Sequence, residues 1–219
     1  MGRKQDLEDR LTRAHSWMEA ARELPADQTH AAFVFLYIAF NSLYGKRRYE
    51  GKEAEARKDR EEFLKHLRVM QTRDMRFGQG ILLKALEACR QPGAALIRNT
   101  LLRDTYWVKK EKAKEMREPF SRAAMRAEGS LDKGQHEEFI KLVLQRLTVL
   151  RNQVMHGCAT YGPQSRGIKS LEAGLAVLKE LVPAFHTLMT EYGSHVDWPP
   201  IPYPRTGSER HPDVDQWTE

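Results

Sequence analysis

The sequence predicts an all-α protein. Apolar residues recur every three or four positions through its long segments. No alternating strand pattern runs for more than a few residues, and no internal repeat is visible. Glycine or proline stands where several of the helices must stop. The 219 residues can bury a sizeable core, and the periodic region, residues 1–192, reads as one helical domain. An apolar share of 41% and a charged share of 30% suit packed helices with solvated outer faces.

Leu7, Leu11, Ala14, Met18, Ala21 and Leu24 keep helical spacing, and Pro25 ends that first helix. Asp27 or Thr29 can cap the next, which runs through residues 31–44. It is apolar nearly all round, so it is expected to be the central, most buried helix. Asn41 is its polar exception, expected to cap or to hydrogen-bond inside. Gly45 is its natural stop, and Lys46-Arg47-Arg48 suits the negative end of its dipole. Residues 53–73 form a charged amphipathic helix with Phe63, Leu64, Leu67 and Met70 inward.

A shorter helix over 81–90 is stopped by Pro92-Gly93. Residues 94–102 and 105–125 read as helix with a break near Glu118-Pro119, and residues 129–134 as a linker. Residues 135–156 form a long amphipathic helix with Ile140, Val143, Leu144, Leu147, Leu150 and Val154 in one stripe. A loop over 157–167 leads to the last long helix, 168–192, bent before Pro183. Past Gly193 the composition changes: Trp198-Pro-Pro-Ile-Pro-Tyr-Pro204 favours polyproline II, and residues 193–219 read as an irregular Pro-rich tail.

Composition narrows the function classes. Cys89 and Cys158 are far apart, which gives neither a disulfide framework nor a thiolate zinc site; Cys158 reads as a small buried residue. His136-Glu137-Glu138 lacks a second His at metal spacing, so no metal and no cofactor are expected. The charged N-terminus lacks the apolar core of a signal peptide, and the apolar run over 31–40 is too short to span a bilayer. A cytoplasmic protein with no membrane partner is therefore expected. A net charge of +6 and a pI near 9.3 favour a polyanionic partner. Residues 103–117 mix Lys109 and Lys110 with Tyr106 and Trp107, and so can track a nucleic-acid backbone or form a solvated helix face. Arg47 and Arg48 are further candidates for substrate binding.

One stretch carries chemistry. Arg151-Asn152-Gln153-Val154-Met155-His156-Gly157 brings a guanidinium, an amide and an imidazole to a helix end, which are groups able to cut RNA without a metal. The spacing alone proves little, because chance predicts about one Arg-x4-His match in such a chain. Arg10 and His15 have the same spacing; Arg60 and His66, and Arg205 and His211, are one residue further apart. On a helical wheel Arg151 falls on the flank of the apolar stripe. There it must snorkel, pair with a buried acid or meet another subunit. Asn152 and His156 share a face roughly opposite the core, so the three groups do not all converge on one straight helix. Across a two-fold axis they can.

On this helical reading, Phe40-Asn41-Ser42-Leu43-Tyr44-Gly45 together with Leu150-Arg151-Asn152-Gln153-Val154-Met155-His156-Gly157 resembles the HEPN family of all-α domains. That family's signature is Arg, a polar residue most often Asn, a few residues and His; Arg151, Asn152 and His156 fill those positions. The resemblance covers Arg3 to Tyr192, and the helices between residues 47 and 131 exceed the minimal domain, leaving room for an insertion. It implies a HEPN-like bundle and a metal-independent endoribonuclease acting as a homodimer, with both motifs at the interface and Arg151, Asn152 and His156 catalytic. Some relatives serve as toxins paired with a nucleotidyltransferase antitoxin, which implies a toxin or defence effector with an antitoxin or other protein partner. Other relatives have lost catalysis, which leaves open a non-catalytic module that binds a partner protein or nucleotide. A plain helical scaffold whose Pro-rich tail recruits other proteins is the remaining reading.

The implied reaction is attack of a ribose 2′-OH on the adjacent phosphodiester, giving a 2′,3′-cyclic phosphate. A histidine can take or give the proton near neutral pH. Arg151 can hold the phosphate bidentately, and Asn152 can orient the phosphate or His156. DNA lacks the 2′-OH and is expected to resist.

Overall fold

A computed structural model describes residues 2–45, 53–102, 117–134, 136–157, 162 and 167–199. Among these residues the chain is all-helical, with eight α-helices and no strand. They are α1 (Gly2–Arg22), α2 (Thr29–Tyr44), α3 (Glu53–Arg76), α4 (Ile81–Ala88), α5 (Arg90–Arg98), α6 (Arg117–Asp132), α7 (His136–Met155) and α8 (Ile168–Tyr192). Short 3-10 turns follow α5 (Thr100–Leu102) and α8 (Gly193–His195). No helix among the described residues is long and apolar enough to cross a membrane.

The apolar helix α2 does lie at the centre. It packs most extensively on α1 and α8, and also touches α3 and α7. Its N-cap is Gln28, with no side-chain cap bond, rather than Asp27 or Thr29. Burial of its faces by four neighbours holds this helix, so the missing cap is a small loss. The Phe40 ring lies 6.0 Å from Phe63 of α3 and 5.9 Å from Phe185 of α8. Phe63 and Phe185 meet edge to face at 5.4 Å, so three helices lock on one aromatic cluster. Such pairs contribute about 0.5–1.5 kcal/mol each beyond the area they bury.

Two boundaries differ from the sequence expectation. The break between α4 and α5 falls at Cys89, and Pro92-Gly93 lies inside α5. The Gly93 N–H makes the bond to the Cys89 carbonyl that closes the first turn (2.8 Å). Pro92 therefore sits where its missing N–H would have had no helical partner. Gly93 is needed for contact: a Cβ there would stand 2.6 Å from Phe139 Cζ of α7. Residues 129–132 belong to α6 rather than to a linker, with the Ser130 hydroxyl donating to the Ala127 carbonyl (2.6 Å). Lys133 and Gly134 form a turn after it, the latter left-handed at φ 71°.

The last helix, α8, runs unbroken through Pro183. The chain after it is packed on the body as far as the structure describes it. Trp198 is 4% exposed, and its indole N–H donates to the Gly193 carbonyl (2.8 Å).

Gly174 sets how closely α8 approaches its neighbours, since a Cβ there would stand 2.7 Å from Leu150 Cδ2 and 2.9 Å from Phe33 Cε2. Gly174→Val is therefore expected to destabilise by about 1–3 kcal/mol through overpacking. Gly129, in α6 with nothing near its Cβ position, behaves oppositely: Gly129→Ala is expected to gain up to about 1 kcal/mol. Thermal melts of the two variants should move in opposite directions; a drop for both would sink this account of the close approach.

Candidate functional site

The Arg-Asn-x3-His stretch closes α7. The buried side chains Phe139, Ile140, Val143, Leu144, Leu147 and Leu150 hold the helix on the core. Gly157 then takes a left-handed φ of 68° and ends it, with the His156 N–H on the Asn152 carbonyl at 3.0 Å. Arg151 sits on the flank of the apolar stripe, half-buried. Its guanidinium carbon lies 5.5 Å from the centre of the Tyr37 ring, and Nη1 donates to Asn152 Oδ1 at 2.9 Å. The snorkelling alternative is thus met by a ring face and an amide. No carboxylate pairs with Arg151 among the described residues. Asn152 is held with its amide oxygen toward the guanidinium. His156 is exposed one turn beyond Asn152, beside Met155, which is 57% exposed. The structure thus joins Arg151 and Asn152 directly and leaves His156 on the solvent side of the helix end.

The upstream segment, Phe40 to Gly45, closes α2. Gly45 donates its N–H to the Asn41 carbonyl (2.7 Å), and a Cβ on Gly45 would stand 2.7 Å from that same oxygen. Arg10 of α1, 1% exposed, donates to the carbonyls of Leu43 (3.3 Å), Gly45 (2.8 Å) and Pro199 (2.9 Å). Burial pushes this guanidinium down to about 10, against which Asp6 raises it, so it stays charged at neutral pH. Arg10 therefore staples three chain segments together.

Between the two segments runs a polar network of which only Asn41 was anticipated from the sequence. The Tyr44 hydroxyl donates to Asn41 Oδ1 (2.9 Å) and faces Tyr37 and Arg60. Burial raises this phenol far above its ordinary range, with Tyr37 adding to the effect, so it remains a neutral donor. Thr148 of α7 donates to the Leu144 carbonyl (2.9 Å) and accepts from the Tyr37 hydroxyl (3.2 Å) and Arg60 Nη1 (3.1 Å). Its oxygen is thereby saturated. Asn41 thus joins the network inside the fold, and Arg151 stacks on Tyr37, one helical turn before Asn41.

The same-spaced pair Arg10 and His15 is structural on the arginine side, and His15 lies 6.0 Å from the His186 ring. Of the longer pair, Arg60 turns to α7, while the His66 ring stands 4.9 Å from Trp198. Arg47, Arg48, Trp107, Lys109, Lys110, Cys158, Arg205 and His211 lie outside the described residues. Among the described residues, no cluster of His, Cys, Asp or Glu could hold a metal ion. The Cys89 thiol is buried, which pushes it up to about 12, and it stays an unreactive core group. No protein-family model, curated protein or solved structure matches this chain.

The two arginines separate in a melt. Arg10→Ala strands one buried and two part-buried carbonyls and is expected to cost about 3–5 kcal/mol. Arg151→Ala loses one partly exposed ring contact and one hydrogen bond, expected at about 1 kcal/mol or less. Equal losses of stability in the two variants would show Arg151 to be structural as well.

Proposed function

We propose that this chain is a HEPN-like, metal-independent endoribonuclease whose active site is completed by a second copy of itself. The observation that carries the reading is the Arg151–Asn152 pair: a guanidinium held by an amide and a ring, without a carboxylate partner among the described residues, beside an exposed His156. A structural arginine in this fold behaves otherwise, as Arg10 does on its three carbonyls.

In the proposed reaction one His156 removes the proton of a ribose 2′-OH. The 2′ oxygen bonds to phosphorus, the bond from phosphorus to the 5′ oxygen breaks, and the leaving oxygen takes a proton from the other His156. Arg151 balances charge on the non-bridging oxygens and Asn152 orients the phosphate. Arg151 and His156 fall on different faces of one helix, which favours two helix ends meeting across a two-fold axis. Met155, and Leu101, whose carbonyl accepts from Gln153, leave exposed apolar surface at this end of α7. A toxin or defence role, with an antitoxin or other protein partner, belongs to the same reading.

The test is cleavage of single-stranded RNA by the purified protein, with EDTA present and absent. Cleavage should be insensitive to EDTA, leave a 2′,3′-cyclic phosphate and spare DNA. His156→Ala and Arg151→Ala should each slow it by about 10²–10³ or more. Full activity in the His156 variant, or loss of activity with EDTA, would overturn the proposal. RNA or nucleotide binding without cleavage would favour the non-catalytic module instead.

A further inference from the structure

We infer that the groove between α3 and α7 is a phosphate track for single-stranded RNA, with Arg60 and Lys141 as its cationic contacts. The inference rests on the nuclease reading of the Arg151 site and names how its substrate is held.

On α7, Lys141, Gln145, Thr148 and Asn152 follow one another at steps of four, three and four residues, so they form one polar stripe along the helix. The stripe lies beside the buried apolar one and ends at the Arg151–Asn152 pair. From Lys141 to Asn152 it covers about 16 Å at the helical rise. A stacked strand rises about 3.4 Å per nucleotide, so the stripe can follow roughly four to five of them. A shallow surface groove of about 20 Å³ opens beside its first half, lined by Arg60, Glu61 and Leu64 of α3 and by Lys141, Leu144 and Gln145 of α7.

Arg60 is set in advance for such a role. Its Nη1 is anchored on Thr148, one turn before Asn152, and Thr148 is itself fixed by Tyr37 and by the Leu144 carbonyl. The guanidinium is therefore pinned on the groove wall at little further entropic cost on binding. Arg151 is positioned through the same tyrosine, which aligns two guanidiniums along one face. Against Glu61, Arg60 and Lys141 leave the lining with a cationic excess. Lys141, exposed on the rim, supplies a mobile point charge. An amide and two cations in a row, Gln145 with Arg60 and Lys141, suit the phosphates of a sugar-phosphate backbone.

The experiment uses the full chain carrying His156→Ala, so that RNA is not consumed, and a fluorescent single-stranded RNA oligonucleotide titrated at several salt concentrations. Lys141→Gln and Arg60→Gln should each make the plot of log affinity against log salt about 0.7 shallower, roughly fivefold weaker binding near 0.1 M salt. Arg60→Lys should restore the slope of Arg60→Gln, because it restores the charge. Lys141 is exposed, so its substitution leaves the fold intact and decides the matter even where Arg60→Gln melts early. An unchanged slope in Lys141→Gln, in a protein whose parent cleaves RNA, would overturn the track and leave the nuclease standing. A shallower slope in a parent that never cleaves would keep the track and overturn the nuclease. No RNA binding at all would overturn both.

Discussion

Everything in this fold answers to α2, a helix without a polar face. Such a helix must be covered on all sides, and α1, α3, α7 and α8 do this. Burial on all sides brings a second demand. The few polar atoms α2 carries must find partners inside the protein, at a cost of about 1–3 kcal/mol for each one left unpaired. The hydroxyl of Tyr37 goes to Thr148, and that of Tyr44 to Asn41 with Arg60 alongside. The C-terminal carbonyls go to Arg10. Each answer recruits a residue from a different helix, so the polar exceptions of one buried helix fix the positions of α1, α3 and α7. The place of Arg151 above the Tyr37 ring follows from that arrangement.

Four arginines show how the fold spends positive charge. Arg10 and Arg146 turn to backbone carbonyls, the latter to Leu102 at 3.2 Å, and both are buried. Arg60 takes a hydroxyl already committed elsewhere. Arg151 takes an amide oxygen and a ring face. A guanidinium has five donors, and carbonyls in a dry site use them well. Arg151 is the one of the four that stands beside the histidine and next to solvent, with a neighbouring amide as its hydrogen-bond partner. That contrast separates Arg151 from Arg10, which sequence spacing cannot do.

The helices were legible because burial imposes a period of three to four residues, which α7 and α8 carry, and because α2 is an apolar run too long for a strand. The internal partnership of Asn41 was legible too, because its donor lies only three residues away. The α4–α5 boundary was not. Pro92 reads as a stop, yet in the first turn of a helix it costs nothing, and only the contact with Phe139 explains the glycine after it. Arg10 looked like one of several Arg…His coincidences, since its role depends on carbonyls 33, 35 and 189 residues away. Tyr37, Thr148 and Arg60 were missed for the same reason: a side-chain network across three helices leaves no periodic trace.

The position of the motif constrains any chemistry proposed there. A phosphate usually seats at a helix N-terminus, where the dipole is positive. Arg151 and His156 stand at the other end, where α7 presents roughly half a negative charge. One guanidinium therefore offers a phosphodiester only about half a net positive charge, and attack by a 2′ oxygen adds negative charge to the non-bridging oxygens. A guanidinium that keeps its charge is the minimum requirement at such a place, and Tyr37 and Asn152, its partners among the described residues, hold Arg151 without neutralising it. A second helix end brought up by a two-fold axis doubles the dipole penalty and the guanidinium charge alike, but it also supplies a second imidazole. For a reaction that must remove one proton and deliver another, that second imidazole is the stronger reason for two copies.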